Sequence, residues 1–176
     1  MALQFCSEHV FRAPSVSAVF AAYFDPEHVL RQDKLLEVVE RTVLELVDTG
    51  ATLRRTCRVV PHRRLPAILR PFVSAPLHYL ETATWRRPDD EIDIEIRPSI
   101  LEPAAKPAIR ALYRLSRLSD GSIRRLYRGT VSVDIALVSA RVERGIVAEI
   151  ERTAPVAAAC TQAFLDQDQR SLSAQA

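Results

Sequence analysis

The segment Glu91-Ile92-Asp93-Ile94-Glu95-Ile96-Arg97 alternates without a break between a charged residue and an isoleucine. Successive side chains of an extended chain point to opposite faces, so this segment is a strand with one wet face and one apolar face. A strand of that kind is not buried on both sides, as strands of a parallel core are, and it is not stable alone. It belongs to an antiparallel sheet that some other element covers on one side.

The flanking sequence supplies the rest of such a sheet. From Leu36 to Asp134 the chain is rich in Val, Ile, Thr, Leu and aromatic residues, and six strands are predicted, over about 36–47, 51–60, 77–86, 91–97, 109–118 and 122–135. Asp48-Thr49-Gly50 and Asp120-Gly121 are hairpin turns, where glycine supplies the positive φ. Another strand, Leu3 to Phe11, comes first, and two short helices follow it. The first runs from Pro14 to Phe24, with Pro14 in its first turn and Val16, Val19, Phe20 and Tyr23 at helical spacing. The second runs to about Leu35, capped by Asp25 with Pro26 at its first position. Ser139 to about Gln167 is a long terminal helix, since Val142, Ile146, Ile150, Ala157, Cys160 and Phe164 recur near the 3.6-residue period. Pro155 should kink it near Glu151 to Ala154. The expected class is α+β: a curved antiparallel sheet of about seven strands, two short helices after the first and a long C-terminal helix. One domain is expected over 1–168, followed by a polar tail over 169–176.

Composition narrows the function. Hydrophobic residues make up 48% and charged residues 26% of the 176 positions, as in ordinary globular chains. No apolar run approaches the ~18 residues of a membrane span, and Glu8 and His9 interrupt the N-terminal stretch where an export signal would be apolar. A cytoplasmic protein is expected. Cys6, Cys57 and Cys160 lack paired spacing, and His9, His28, His62 and His78 are scattered, so no metal site is expected and surface or locally bonded histidines are the default reading. Gly50, Gly121, Gly129 and Gly145 form no phosphate-binding loop, and no G-x-S-x-G elbow occurs. No cofactor is expected. Arg54-Arg55, Arg63-Arg64 and Arg124-Arg125 could neutralise phosphates, but the net charge is only +2. Arg110, Arg114, Arg124 and Arg128 can instead pair with the acidic strand across the outer face, so no nucleic-acid partner is expected.

Three stretches carry a family resemblance: Ala21-Ala22-Tyr23-Phe24-Asp25; Leu65-Pro66 through Glu81 to Thr84-Trp85-Arg86; and Gly129-Thr130-Val131-Ser132-Val133 running on to Leu137-Val138-Ser139-Ala140 and Glu143. With the order of elements, they make the chain resemble the START-like superfamily, also called the polyketide-cyclase or helix-grip fold, and within it a bacterial family of unknown function. Members often carry glycines where this chain has Ser139-Ala140. The resemblance implies a hydrophobic cavity between sheet and terminal helix, with binding of a lipid or other apolar ligand as the usual role, and it carries over no catalytic residue.

Candidate ligand-binding residues follow from strand and helix faces. Tyr79, Glu81 and Trp85 share a face with Leu77 and Ala83, and Glu81 could meet a ligand hydroxyl or act as a base; the competing reading turns that face to solvent. Ile94, Tyr113 and Tyr127 lie on apolar strand faces, and Val142, Ile146 and Ile150 on the helix would close the cavity. Leu65, Ile68, Leu69 and Phe72, spaced as a short amphipathic helix, form a candidate lid, and Arg63, Arg64 and Arg70 beside them could touch an anionic membrane. The favoured function is carriage or sensing of a hydrophobic, lipid-like ligand without catalysis. A cyclase- or hydrolase-like enzyme using the same cavity, or a protein-interaction scaffold, are the alternatives.

Overall fold

A computed structural model describes residues 2–62, 77–99, 108–134 and 139–173. The candidate lid (Leu65, Ile68, Leu69, Phe72) and the candidate membrane contacts (Arg63, Arg64, Arg70) lie outside the described residues. The elements are β1 (Leu3–Phe11), α1 (Val16–Phe24), α2 (Pro26–Leu35), β2 (Val38–Asp48), β3 (Thr52–Pro61), β4 (Tyr79–Arg86), β5 (Glu91–Pro98), β6 (Ile109–Arg117), β7 (Ile123–Val131) and α3 (Ser139–Ser173).

The strands form one seven-stranded sheet in the order β1-β7-β6-β5-β4-β3-β2, every pair antiparallel. β2 to β7 are a meander, and β1 closes onto β7 from the far side of the helical elbow. Gly50 and Gly121 turn two of the hairpins with φ of 83° and 86°, values that side chains with a Cβ rarely adopt. Two register shifts in β2, at Val38/Glu40 and Val43/Glu45, are the irregularities that bend an edge strand. β2 is otherwise exposed: Val39, Val43, Leu44 and Leu46 are all more than half accessible.

Registers show which side chains share the concave face. One row across the sheet is Leu53-Trp85-Ile92-Tyr113-Tyr127, and the next is Arg55-Ala83-Ile94-Ala111-Gly129-Phe5. Ile92 and Ile94 are buried while Asp93 on the same strand is exposed, as the alternation predicts. Small residues in the second row make room for larger ones: a Cβ on Gly129 would lie 2.7 Å from the ring of Phe5 and collide with the Arg110 carbonyl. On the outer face Arg110 meets Glu95 at 3.6 Å, and Arg114 pairs with Glu91. Arg124 and Arg128 make no ion pair among the described residues.

The helices cover the concave face. α1 starts two residues later than its proline suggested, at Val16: Ser15 is the N-cap, accepting from the Ala18 amide at 3.1 Å, and Pro14 precedes the cap. A hydroxyl that satisfies a free amide outcompetes proline's merely permissive role. Val19 and Phe20 of α1 are completely buried, and Phe20 stacks on Trp85 with ring centroids 5.0 Å apart. Asp25 caps α2 as expected, accepting from Glu27 and His28. α3 is one continuous helix through Pro155 to Ser173. It therefore takes in residues 169–173 of the stretch expected to be a tail; just before them Arg31 of α2 donates to Gln167 at 2.7 Å. No helix among the described residues is long and apolar enough to cross a membrane.

Two substitutions test this packing. Ile94→Asp places an unpaired carboxylate in the core and should destabilise the protein by several kcal/mol in denaturant unfolding, about 3 or more. Gly129→Ala removes only a hydrogen but drives a methyl into backbone, and should cost about 1–3 kcal/mol. A wild-type midpoint for either variant would contradict the face assignment.

Candidate functional site

A cavity of about 160 Å3 lies between the concave face and the helices. Its sheet wall is Ile94, Tyr113, Arg125 and Tyr127; α1 and α2 add Val19, Tyr23, His28 and Gln32; α3 adds Ile150, Thr153, Ala154, Ala157 and Thr161. The α3 residues recur at steps of three and four, so a single stripe of the helix forms that wall. Pro155 lies outside the stripe, exposed.

The candidate residues divide among several places. Ile94, Tyr113, Tyr127 and Ile150 line the cavity. Val142 and Ile146 pack, half-buried, against the hydrophobic core. Trp85 sits in an aromatic stack, with Phe20 on one side and Phe24 nearly parallel at 6.2 Å. Tyr79 and Glu81 face inward, which removes the solvent-facing reading of β4, but Glu81 is occupied. Arg41 donates to Glu81 at 3.0 Å and to both carboxylate oxygens of Asp33 at 2.9–3.1 Å, tying α2 to β2 and β4. Burial, then the Glu81 charge, pushes the phenols of Tyr79 and Tyr127 well above the usual range, so both remain protonated donors at neutral pH.

Polar residues overlooked in the sequence dominate one end of the cavity. His28, read by default as a surface or locally bonded histidine, is 1% exposed. Its Nε2 lies 3.1 Å from the Thr161 hydroxyl and 3.2 Å from the Gln32 amide nitrogen, and Thr161 donates to the Ala157 carbonyl at 2.9 Å. Burial lowers the His28 pKa from 6.5 despite the opposing pull of the Ala22 carbonyl, so the imidazole is neutral at pH 7. Arg125 is 4% exposed. Its Nη2 donates to His9 Nδ1 at 2.6 Å and, more weakly, to the Ala154 carbonyl at 3.4 Å, while its buried Nε has no partner. The guanidinium sits over the rings of Phe11 and Tyr113, 5.5 and 5.4 Å from their centroids. Arg55, also buried, lies over Tyr23 and Phe24, and neither arginine has an ion pair among the described residues. Alternation could have revealed both: in Arg54-Arg55 and Arg124-Arg125 one member must face inward, and Tyr127, Gly129 and Val131 already mark which face that is in β7. His28 and Gln32 stand one turn apart on α2, but Thr161 reaches them only through tertiary packing, for which the sequence holds no local signal.

Cys57 is buried with its thiol pKa raised by burial, the opposite of an activated nucleophile. No cluster of potential metal ligands occurs among the described residues.

The two inward histidines make stability depend on pH. Burial lowers the pKa of both His28 and His9 below 6.5, with Arg125 adding to the effect at His9. The unfolded chain therefore takes up protons first as pH falls. Stability is full above about pH 6.5 and declines below it. The melting temperature should drop between about pH 7 and pH 5, and the drop should be smaller in His28→Gln; equal slopes for the two proteins would remove His28 as a cause.

Among curated proteins no significant match to the sequence is found. Solved structures are similar at low identity. A Zhui aromatase/cyclase from a Streptomyces species superposes with a TM-score of 0.66 at 10% identity, covering 95% of each chain. A START superfamily protein from Mycobacterium smegmatis gives 0.57 at 12%, covering 93% of this chain and 97% of that one. A Thermus thermophilus protein gives 0.60 at 14%, covering 92% of this chain and 99% of that one. These likenesses establish a START-like, helix-grip fold. Residues 8–165 match the model of a family described as "Protein of unknown function (DUF2505)", and the chain belongs to that family.

Proposed function

We propose that the protein binds a compact apolar or lipid-like molecule in the cavity between sheet and α3, as a carrier or sensor and without catalysis. The observation that carries this reading is the cavity wall itself, where Val19, Ile94, Ile150 and Ala157 present hydrocarbon and Tyr113 and Tyr127 present rings. Mostly apolar concavities with a few fixed polar groups are the usual form of small-molecule sites. The size limits the occupant. An engineered apolar cavity of about 150 Å3 takes up benzene, so about 160 Å3 suits one ring or a short acyl segment.

Binding without turnover is favoured because the inward carboxylates of Asp33 and Glu81 are committed to Arg41 and do not line the cavity. A cyclase-like enzyme is the second reading, favoured by the neutral His28 beside Thr161 on the cavity wall and by the likeness to an aromatase/cyclase.

Native mass spectrometry of gently purified protein, followed by organic extraction, should recover a small apolar species in stoichiometric amount. In a defined assay, toluene should shift the NMR resonances of Ile94 and Ile150 in wild type. Filling the cavity with Ala157→Phe should weaken that binding about tenfold or more while the fold is kept. Unchanged toluene affinity in the filled variant would place binding elsewhere. Release of a chemically altered species on incubation would select the enzyme.

A further inference from the structure

The charged side chains on the concave side are not all paired. Arg41 is neutralised by two carboxylates, Asp33 and Glu81. Arg125 and Arg55 are buried with no acidic partner among the described residues, and each has a buried Nε without a hydrogen bond. Burying an unpaired charge is costly, and contact with aromatic faces offsets only part of that cost. Where such a guanidinium borders a cavity, a ligand's negative charge can supply the missing partner.

Of the two, only Arg125 is on the cavity wall. It is also held in place: Nη2 is fixed by His9 Nδ1, which Ser7 Oγ approaches at 3.4 Å, and the plane is flanked by Phe11 and Tyr113. Neutral His9 acts as the acceptor, so the contact adds no second charge. Tyr113 stands beside the same guanidinium, its phenol kept protonated by burial. A fixed guanidinium next to a phenol donor, at the end of an apolar chamber, matches a carboxylate attached to a hydrocarbon body.

We propose that the cavity takes an organic monoanion, a carboxylate on a ring or short alkyl chain, with Arg125 as the receptor of the carboxylate and His9 as the residue that positions Arg125. One cationic group within a chamber of about 160 Å3 accommodates one carboxylate and about one ring. Arg55, on the same face and masked by Tyr23 and Phe24, adds positive potential without contact. This assignment rests on the reading of the cavity as the binding site.

The test compares benzoate with benzamide, its neutral isostere, and with toluene, by NMR titration of the full chain at neutral pH. Wild type should bind benzoate at least about tenfold more tightly than benzamide, and benzoate but not toluene should move the Arg125 Nε–H resonance. In Arg125→Gln the benzoate-to-benzamide ratio should fall to about one. His9→Ala should reduce the ratio and His9→Gln, which keeps an acceptor, should restore part of it. Because the Nε–H resonance is read in wild type, the proposal remains testable even if the Arg125 variant does not fold. Equal binding of benzoate and benzamide, or a preference that survives Arg125→Gln, would overturn the carboxylate assignment while leaving apolar binding in place. If neither toluene nor benzoate binds, both readings fall.

Discussion

Alternation across the sheet is the constraint on which the other features depend. Ile92, Ile123 and Val131 point to the same side as Trp85 and Tyr113, and a face that apolar must be removed from water. The hydrophobic contribution of burying such side chains, about 1.5–3 kcal/mol each, is what holds the helices over the sheet. α1 supplies Val19 and Phe20, and α3 supplies Val147, Ala158 and Leu165. Where the helices use small residues, as at Ala154 and Ala157, the cover does not reach the sheet and a chamber is left.

Polar groups inside this arrangement fall into two classes with different consequences. The Arg41, Asp33 and Glu81 cluster is closed on itself: each charge meets its opposite, and removing any one would strand the others. It works as a clasp between α2 and the β2–β4 side of the sheet. The groups at the other side are open. His28, Thr161 and Gln32 share more donors and acceptors than they can use among themselves, and Arg125 has a fork with vacant hydrogens. Specificity in an otherwise apolar chamber comes from open groups of this kind.

The fold was largely legible because its signals are local. The Glu91 to Arg97 alternation, the Asp48 to Gly50 and Asp120-Gly121 turns, and the Asp25-Pro26 helix start each act within a few residues, and each forms where expected. The site was legible only in part. Ile94, Tyr113, Tyr127 and Ile150 were placed toward the cavity by face assignments, whereas Glu81 was singled out without its partner Arg41, which lies two strands away on β2. His28 looked ordinary because its burial is decided by α3, far along the chain. Arg125 was weighed only as half of the Arg124-Arg125 cluster, although its place two residues before Tyr127 set it on the inner face. Counting charges by sign misses what counting them by face reveals.

The pairing of β1 with β7 has a consequence for how the chain assembles. Leu3 finds its partner in Val131 and Phe11 in Ile123, so the first strand made must wait for the last. Contacts between such distant segments pay their loop-closure entropy before they return any stabilisation, and topologies of this type fold in milliseconds to seconds. During synthesis the β2–β6 meander emerges with its isoleucine face uncovered, and α3, the element that shields it, comes last. The chamber therefore exists only in the finished protein, and a nascent chain lacking α3 exposes the kind of apolar sheet that chaperones hold.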